Sequence, residues 1–168
     1  MPTDAELVFA DHMARHCATH YGLPPMVGRL LGYLAVCDPP DPTIAELAEA
    51  LLASRSAITN AVKAVEPMQS VRRSRRAGER MDRVRIDLTS PRALGLDMTE
   101  YEDLRALARE GLEVVRDAPP ERRAVLLEVA AYADFVHEQV LRIRDEWEAR
   151  RAELVAAGEL PARPGPGG

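Results

Sequence analysis

The chain has 168 residues, of which 46% are hydrophobic and 29% charged, and this composition is typical of a folded globular protein. Its apolar runs fall short of the roughly 18 to 20 residues that span a bilayer, which argues against an integral membrane protein. Two cysteines are too few for a disulfide framework, and the first residues do not resemble an export signal. We therefore expect a cytoplasmic protein that does not bind membranes.

The formal net charge of −5 hides an asymmetry along the chain. Residues 55–85 contain nine basic and three acidic side chains, a local net charge of +6, which leaves −11 for the rest. A concentrated basic segment on an acidic body gives a polyanion one surface to bind and repels it elsewhere. The charge pattern therefore favours a nucleic-acid partner despite the negative total.

Two helices are predicted at the start of the chain. Thr3 and Glu6 form a T-x-x-E capping box at the start of a helix over residues 4–21. Residues 25–37 form a second helix that is apolar around most of its circumference, so we expect it to be buried. The glycines of its GRLLG segment lie inside a helix and cannot cradle phosphate, and we expect them to let another helix approach closely.

A helix-turn-helix is predicted next. Thr43 and Glu46 form a second capping box, before a short helix with one apolar face that ends near residue 51. Ser54 is the expected N-cap of a following helix over residues 55–66. Two short capped helices about three residues apart have the spacing of a helix-turn-helix.

The hydrophobic period then changes to that of a strand. Residues 83–88 alternate polar and apolar, and a weaker strand over residues 71–75 precedes them across a turn around Gly78. A helix-turn-helix followed by such a hairpin is a winged helix. The fold class predicted is therefore mainly α with a small β-hairpin wing.

The rest of the chain is predicted to be helical, over residues 98–117 and 121–156. The second of these helices has a single apolar stripe along some 35 residues, too long for a small domain to cover alone, so we expect a homodimer. The last residues, rich in proline and glycine, predict disorder. The domain plan is a dimerisation region at 1–22 and 91–156, a DNA-binding domain at 23–90 and a disordered tail at 157–168.

The outer side of the second helix of the helix-turn-helix suits DNA. Its arginine can bond bidentately to guanine and its asparagine to adenine, while serine and threonine can bond to bases or phosphates. Arginines of the wing suit the negative potential of the minor groove. The candidate DNA-binding residues are Ser54, Arg55, Ser56, Thr59, Asn60 and Lys63 in the helix, and Arg72, Arg80, Arg83 and Arg85 in the wing.

Two other interpretations of the basic segment compete with DNA binding. The hairpin arginines could simply pair with Glu79 and Asp82 in solvent. The winged helix could also have lost DNA binding and act as a protein-interaction module. The capped helix pair with a polar outer strip, joined to the arginine-rich wing, favours a regulator that binds a double-stranded DNA operator.

From residue 21 to 88 the chain resembles the MarR superfamily, specifically its GbsR-like branch. The resemblance lies in the segments LPPMVGRLLG (23–32), VCDPP (36–40), AELAEAL (45–51) and SRSAI (54–58). After the wing, DAPPER (117–122) is similar to a break between helices in mycobacterial members that repress lipid and drug efflux transporters. The chain departs from the family at Arg83, where an aromatic is usual, at Gln69, where glycine is usual, and at Pro67.

The resemblance implies an obligate dimer and a repressor of a neighbouring transporter or metabolic gene. It implies release when a small molecule binds between the dimer arm and the DNA-binding lobe. The family's recognition-helix contacts correspond to Ser54, Arg55, Ser56, Thr59 and Asn60, its wing-tip arginine to Arg80 and its strand arginine to Arg85. Whether the protein represses or activates, which genes it controls and which operator sequence it binds do not follow from the sequence.

Several smaller signals have two interpretations each. His12, His16 and His20 recur one helical turn apart and could share a metal, but no further ligands complete a site, so packing at a dimer interface is favoured. Cys17 could be a redox switch, but no cationic neighbour is evident, and a packed thiol is favoured.

Catalysis and cofactors find no support in the sequence. No nucleophile beside a base, phosphate-binding loop or metal motif is present, so we expect neither an enzyme nor a bound cofactor. For the effector, few aromatics disfavour an aromatic cage for a cation, although Tyr33, Tyr101, Tyr132 and Trp147 are available. An apolar effector is slightly preferred.

Overall fold

The computed structural model describes residues 1–75, 78 and 81–163 of the chain. The chain divides into two units, Met1–Ala93 and Leu94–Gly168. The described residues form six α-helices, short 3-10 helices at Glu66–Met68 and Arg92–Leu94, and one two-stranded sheet. This confirms the predicted fold class. No helix in this described part is both long enough and apolar enough to cross a membrane.

The first helix begins at the predicted capping box. Helix α1 spans Asp4–Tyr21, and the backbone N–H of Thr3 donates to Glu6 Oε2 at 2.6 Å. In return, the backbone N–H of Glu6 donates to Thr3 Oγ1 at 3.3 Å. These reciprocal bonds satisfy donors that a helix start leaves without intrahelical partners. The helix ends at Gly22, whose φ of 64° lies in the left-handed region.

Helix α2, Pro25–Val36, packs closely against α1 through its two glycines. A Cβ atom on Gly28 would lie 2.5 Å from the Cα of Ala14, and one on Gly32 would lie 2.8 Å from the Cα of Ala10. No real side chain tolerates such distances, so only glycine permits this approach. The close helix packing predicted from the GRLLG segment is therefore confirmed.

The helix-turn-helix consists of helix α3, Ile44–Ala50, and helix α4, Arg55–Val65. Both begin as the sequence predicts: Thr43 and Glu46 form the capping box of α3, and Ser54 Oγ accepts from the backbone N–H of Ala57. Each fully buried aliphatic side chain of the core contributes about 1.5 to 3 kcal/mol. The largest of them are Leu30, Leu47, Leu51, Ile58, Val27, Val62, Val65 and Val84.

The wing is an antiparallel hairpin of β1, Val71–Ser74, and β2, Arg83–Ile86. Val71 pairs with Ile86, and Ser74 pairs with Arg83. Strand β2 also meets the segment before α3, because the backbone N–H of Val84 donates to the carbonyl of Pro42 at 2.9 Å. The base of the wing is thus fixed to the helix-turn-helix.

The second unit is built from two helices that pack against each other. Helix α5 spans Thr99–Val114, and helix α6 spans Pro120–Ala156. At 1.5 Å per residue, the 37 residues of α6 extend over about 55 Å. Arg105 forms an ion pair with Asp134 at 2.9 Å across the two helices. Both helices begin within one residue of the predicted position, although α5 ends three residues earlier than expected.

Large apolar side chains remain exposed along these two helices. Within the described part of α6, Ala133 is the one residue whose side chain is fully buried. A helix of this length with so little burial leaves its apolar stripe in contact with solvent in the single chain. The exposed large hydrophobic residues of α5 and α6 are Leu107, Val114, Val125, Leu127, Tyr132, Phe135, Leu141 and Ile143.

After α6 the chain turns back along the helix. Gly158 has a φ of 75°, and the backbone N–H of Glu159 donates to the carbonyl of Leu154 at 2.9 Å. Arg163 donates to both carboxylate oxygens of Glu148, at 2.8 and 2.9 Å. The first part of the segment expected to be a disordered tail, residues 157–163, therefore has defined contacts, and residues 164–168 lie outside the described residues.

Candidate nucleic-acid interface

Helix α4 has one buried side and one exposed side. Ile58, Ala61, Val62 and Val65 are buried against the core, at the spacing of a single helix face. The N-cap Ser54 fixes the start of the helix, because its hydroxyl accepts from the Ala57 N–H at 3.1 Å. Burial on one side thus determines which side chains α4 presents to solvent.

The exposed side of α4 contains the side chains predicted to contact DNA. Arg55, Ser56, Asn60 and Lys63 are exposed. Thr59 is half-buried, and its hydroxyl donates to the Arg55 carbonyl at 2.8 Å. Among the described residues, no ion pair holds Arg55 or Lys63, so both cations are free to meet an anion. The predicted strip is therefore assembled on one face.

The two arginines of β1, and Arg75 directly after it, differ from Arg55 of α4, because acidic side chains pair with them. Arg72 Nε lies 2.7 Å from Asp87 Oδ2, and Arg73 Nε lies 2.6 Å from Glu66 Oε1. Arg75 donates through Nε and Nη2 to one oxygen of Asp82, at 3.0 and 2.7 Å. The simpler interpretation, in which hairpin arginines pair with neighbouring acids, thus applies to part of β1. Arg72 is still largely exposed.

Asp87 is a tightly held carboxylate at the end of β2. Burial raises its pKa, but hydrogen bonds from the Thr89 hydroxyl and backbone N–H, and the charge of Arg72, outweigh burial. The net result is a pKa below the ordinary value of an aspartate. Asp87 therefore stays ionised and fixes the direction of the Arg72 side chain.

Arg83 faces the protein and not solvent. Its side chain is 12% exposed, and Nη1 donates to the backbone carbonyl of Asp41 at 3.0 Å. The same nitrogen lies 3.9 Å from the Asp41 carboxylate. This candidate DNA contact is thus placed where it connects β2 to the segment before α3. The sequence contained a signal that Arg83 has a role other than DNA contact, since it replaces the aromatic that is usual in the family.

Two candidates of the wing remain. Arg85 is half-buried on β2 and forms no ion pair with the residues that the structure describes. Arg80 lies outside the described residues, as does Glu79. Of the three wing candidates that the structure describes, Arg85 is therefore the one without an ion pair, whereas Arg72 is exposed but paired with Asp87.

Two residues with unusual backbone geometry were not singled out as strained from the sequence. Gln69, after the short 3-10 helix, has a φ of 55°, and Leu52, in the turn between α3 and α4, has a φ of 50°. The left-handed region of backbone conformation favours glycine, because a Cβ atom lies too close to the following carbonyl oxygen there. At Gln69 the glycine that is usual in the family was the available signal.

The histidines and cysteines do not form a site. His12, His16 and His20 lie exposed on α1, and no group of three or more potential metal ligands occurs among the described residues. Cys17 and Cys37 are both buried and unpaired with each other. Burial raises the pKa of each thiol, which disfavours the reactive thiolate.

Known proteins resemble this chain in sequence and in fold. Residues 91–150 match the family described as MmpR5-like MarR family transcriptional regulator. The HTH-type transcriptional regulator MmpR5 of Mycobacterium tuberculosis (strain ATCC 25618 / H37Rv) is 31% identical over 132 residues, which cover 76% of this chain and 78% of that protein. A solved structure, described as the crystal structure of a transcriptional regulator, is similar with a TM-score of 0.75 and 27% identity. It matches over 86% of this chain and 99% of its own.

These similarities extend over both units of the chain. The identity to MmpR5 covers more than two thirds of each protein, which confirms the resemblance to the MarR family and to its mycobacterial members. The structural match independently supports the winged-helix interpretation of the mainly helical fold with its hairpin. The chain therefore belongs to the MarR family, in its MmpR5-like group, and is a DNA-binding transcriptional regulator.

Proposed function

We propose that the protein is a homodimeric repressor that binds a pseudo-palindromic operator in the cytoplasm and is released by a small molecule. The observation that carries this proposal is the exposed strip of α4, where Arg55, Ser56, Asn60 and Lys63 face solvent opposite a buried apolar face. Each subunit inserts α4 into a major groove, with half-sites about one helical turn apart, roughly 34 to 36 Å. The controlled gene is a neighbouring transporter or metabolic gene, as the family resemblance implies.

The residues of the strip divide into two roles. Arg55 at the first position of α4 and Lys63 two turns later suit phosphates, together with the N-terminal N–H groups of the helix. Asn60 and Ser56 are exposed on the side that would face base edges. Ser54 caps the start of the helix, and the Thr59 hydroxyl already donates to the Arg55 carbonyl. We thus assign specificity chiefly to Asn60.

The wing supplies the remaining contacts in this proposal. Arg85 and Arg72 contact phosphate beside the groove. Arg80, which corresponds to the family's wing-tip arginine, enters the minor groove, a role supported by the family resemblance alone. We assign Arg83 a positioning role instead, because its guanidinium bonds to the Asp41 carbonyl.

The homodimer is supported by the exposed apolar side chains of the second unit. Val125, Tyr132 and Phe135 are each more than half exposed on α6, which in the single chain leaves them in water. A second copy of α5 and α6 would cover this surface. Sedimentation equilibrium should give twice the chain mass, and a Tyr132→Glu variant should shift the equilibrium to monomer. A wild-type monomer would contradict this part of the proposal.

Binding to duplex DNA at several salt concentrations tests the core of the proposal. The duplex is obtained by in vitro selection with the full chain, and affinity is followed by fluorescence anisotropy. Lys63→Ala and Arg55→Ala should each weaken binding and lower the slope of log affinity against log salt by about 1. The matched control is Arg116→Ala, an exposed arginine of the second unit, which should behave as wild type.

Two outcomes would contradict the assignment of α4. One is an unchanged affinity in both variants, and the other is an equal loss in the Arg116 control. Complete absence of DNA binding at low salt would favour the other candidate function, a protein-interaction module, in which the ion pairs of β1 leave its arginines unavailable.

A further inference from the structure

The turn between α3 and α4 is closed by backbone bonds around a residue in the left-handed region. The Leu52 N–H donates to the carbonyl of Glu49 at 3.2 Å, and the Ala53 N–H donates to the carbonyl of Ala48 at 2.9 Å. These two bonds form a Schellman motif, whose left-handed position is usually a glycine. Here that position is Leu52, with a φ of 50° and a side chain that is 90% exposed. The turn therefore contains backbone strain that burial of the Leu52 side chain does not offset.

Arg29 of α2 connects this turn to α1. Its Nη1 donates to the carbonyl of Leu51 at 3.4 Å, and its Nε lies 2.7 Å from Oδ1 of Asp11 in α1. The Leu51 carbonyl is at the C-terminal end of α3, where carbonyl oxygens lack intrahelical partners and carry partial negative charge. A guanidinium suits this place because its nitrogens can meet two acceptors at once. One side chain thus joins α1, α2 and the end of α3.

The place of Arg29 in the sequence also sets it apart. It lies in the GRLLG segment, directly after Gly28, within the part of α2 that packs closely against α1. The two glycines of the segment explain this close approach. A DNA contact does not explain Arg29, because its Nε is buried beside Asp11. The contacts of Arg29 point instead to the helix-turn-helix.

We propose that Arg29 is a positioning residue for DNA recognition, which holds the turn so that the first residues of α4 meet the operator in one orientation. This proposal rests on the proposed function, because that function places α4 in the major groove. The buried face of α4 fixes the body of the helix against the core. Residues 52–54 alone separate Leu51 from α4, so a movement of the turn is passed directly to Arg55 and Ser56. Arg29 therefore acts on specificity through the start of α4.

Affinities for the selected duplex and for a scrambled duplex of the same length test this role. Arg29→Gln should lower the ratio of the two affinities by about 2- to 30-fold. Affinity for the scrambled duplex should stay within about 2-fold of wild type, and the slope of log affinity against log salt should not change, because Arg29 touches no phosphate. The measurements are made at a temperature at which circular dichroism shows each variant to be fully folded.

Arg29→Lys separates positioning from folding. Lysine keeps the positive charge and the aliphatic stem, but its single nitrogen cannot replace Nε and Nη1 together. This variant should be more stable than Arg29→Gln in urea denaturation and should still lose specificity. The matched control is Arg105→Gln, which removes an arginine of similar exposure that pairs with Asp134 across α5 and α6, and it should leave the ratio unchanged.

Asp11→Asn tests the connection to α1. Asparagine loses the ion pair with Arg29 and leaves the bond from Arg29 to Leu51, so the ratio of affinities should fall less than in Arg29→Gln. In the Arg29→Gln background, the same substitution should have no further effect, because its influence passes through Arg29. An additive loss in the double variant would contradict this connection.

Amide hydrogen exchange followed by NMR tests the structural step without DNA. In Arg29→Gln, the amides of Leu52 and Ala53 should exchange about 2- to 10-fold faster, because the turn loses a hydrogen bond. The control amide is that of Leu23, which closes the end of α1 by donating to the carbonyl of Cys17, and its exchange should not change.

Four results would overturn the proposal. An unchanged ratio in both Arg29 variants would show that Arg29 serves folding alone, and a salt slope lowered by about 1 would show that it contacts phosphate. An equal fall in Arg105→Gln would show that the loss is general. Unchanged exchange at Leu52 and Ala53 would show that Arg29 does not hold the turn. A wild-type chain that binds no DNA contradicts the proposed function, whereas wild-type binding with an unchanged ratio contradicts the role of Arg29 alone.

Discussion

Replacing Gly28 with alanine tests the packing that joins α1 to α2. The added Cβ would lie 2.5 Å from Ala14 Cα and 3.0 Å from the Met13 carbonyl oxygen, so it meets backbone that no rotamer change can move. Alanine gains about 1 kcal/mol of helix propensity, but overpacking of this kind typically costs 1 to 3 kcal/mol and more when backbone must shift. We expect a net loss of about 1 to 3 kcal/mol in the free energy of unfolding.

Urea denaturation followed by circular dichroism at fixed protein concentration measures this loss. In a thermal denaturation followed by the same signal, the melting temperature should fall by about 3 to 9 °C. The control is Gly111→Ala in α5, whose Cβ would meet methyl groups of Leu126 at 3.1 Å. Because that side chain can move, the free energy of unfolding should stay within about 1 kcal/mol of wild type. Equal stability of the two variants would refute the argument from close helix approach.

Three further predictions concern the wing and its surroundings. Gln69→Gly should raise the free energy of unfolding by about 1 kcal/mol, because glycine removes the strain of a φ of 55°, and a loss in urea denaturation would contradict this. Arg83→Ala should lower the free energy of unfolding by about 1 to 3 kcal/mol and leave the slope of log DNA affinity against log salt unchanged. Arg85→Ala should lower that slope by about 1. A lowered slope for Arg83→Ala would show that Arg83 contacts DNA after all. Asp87 has a lowered pKa when folded, so its contribution to stability is present above the ordinary aspartate value and is lost as pH falls through the folded pKa. Asp87→Asn should therefore lose stability at pH 7 and show a weaker decline below about pH 4, and a decline as steep as wild type would exclude this carboxylate as its cause.

Local features of the fold were predictable because they depend on residues close in sequence. The capping boxes at Thr3 and Thr43 and the N-cap at Ser54 each involve groups three residues apart. Apolar spacing in α4 fixed its buried side, and therefore the side that carries Asn60. The exposed strip of α4 could thus be predicted from periodicity alone.

Contacts between distant residues were not predictable in the same way. Arg83 and Asp41 are 42 positions apart, and their bond depends on how the wing packs beside α3. The pairing of Arg73 with Glu66 likewise requires the position of β1 after the short 3-10 helix. Counting charges along the chain gave the basic segment but could not show which arginines already have partners.

The most direct test of the central claim is the specificity of the Asn60→Ala variant. The quantity is the ratio of affinities for the selected duplex and for a scrambled duplex of the same length, measured at one salt concentration. If the exposed side of α4 reads bases, the ratio should fall about 5- to 100-fold, while affinity for the scrambled duplex stays close to wild type. An unchanged ratio would show that sequence is read elsewhere on the protein.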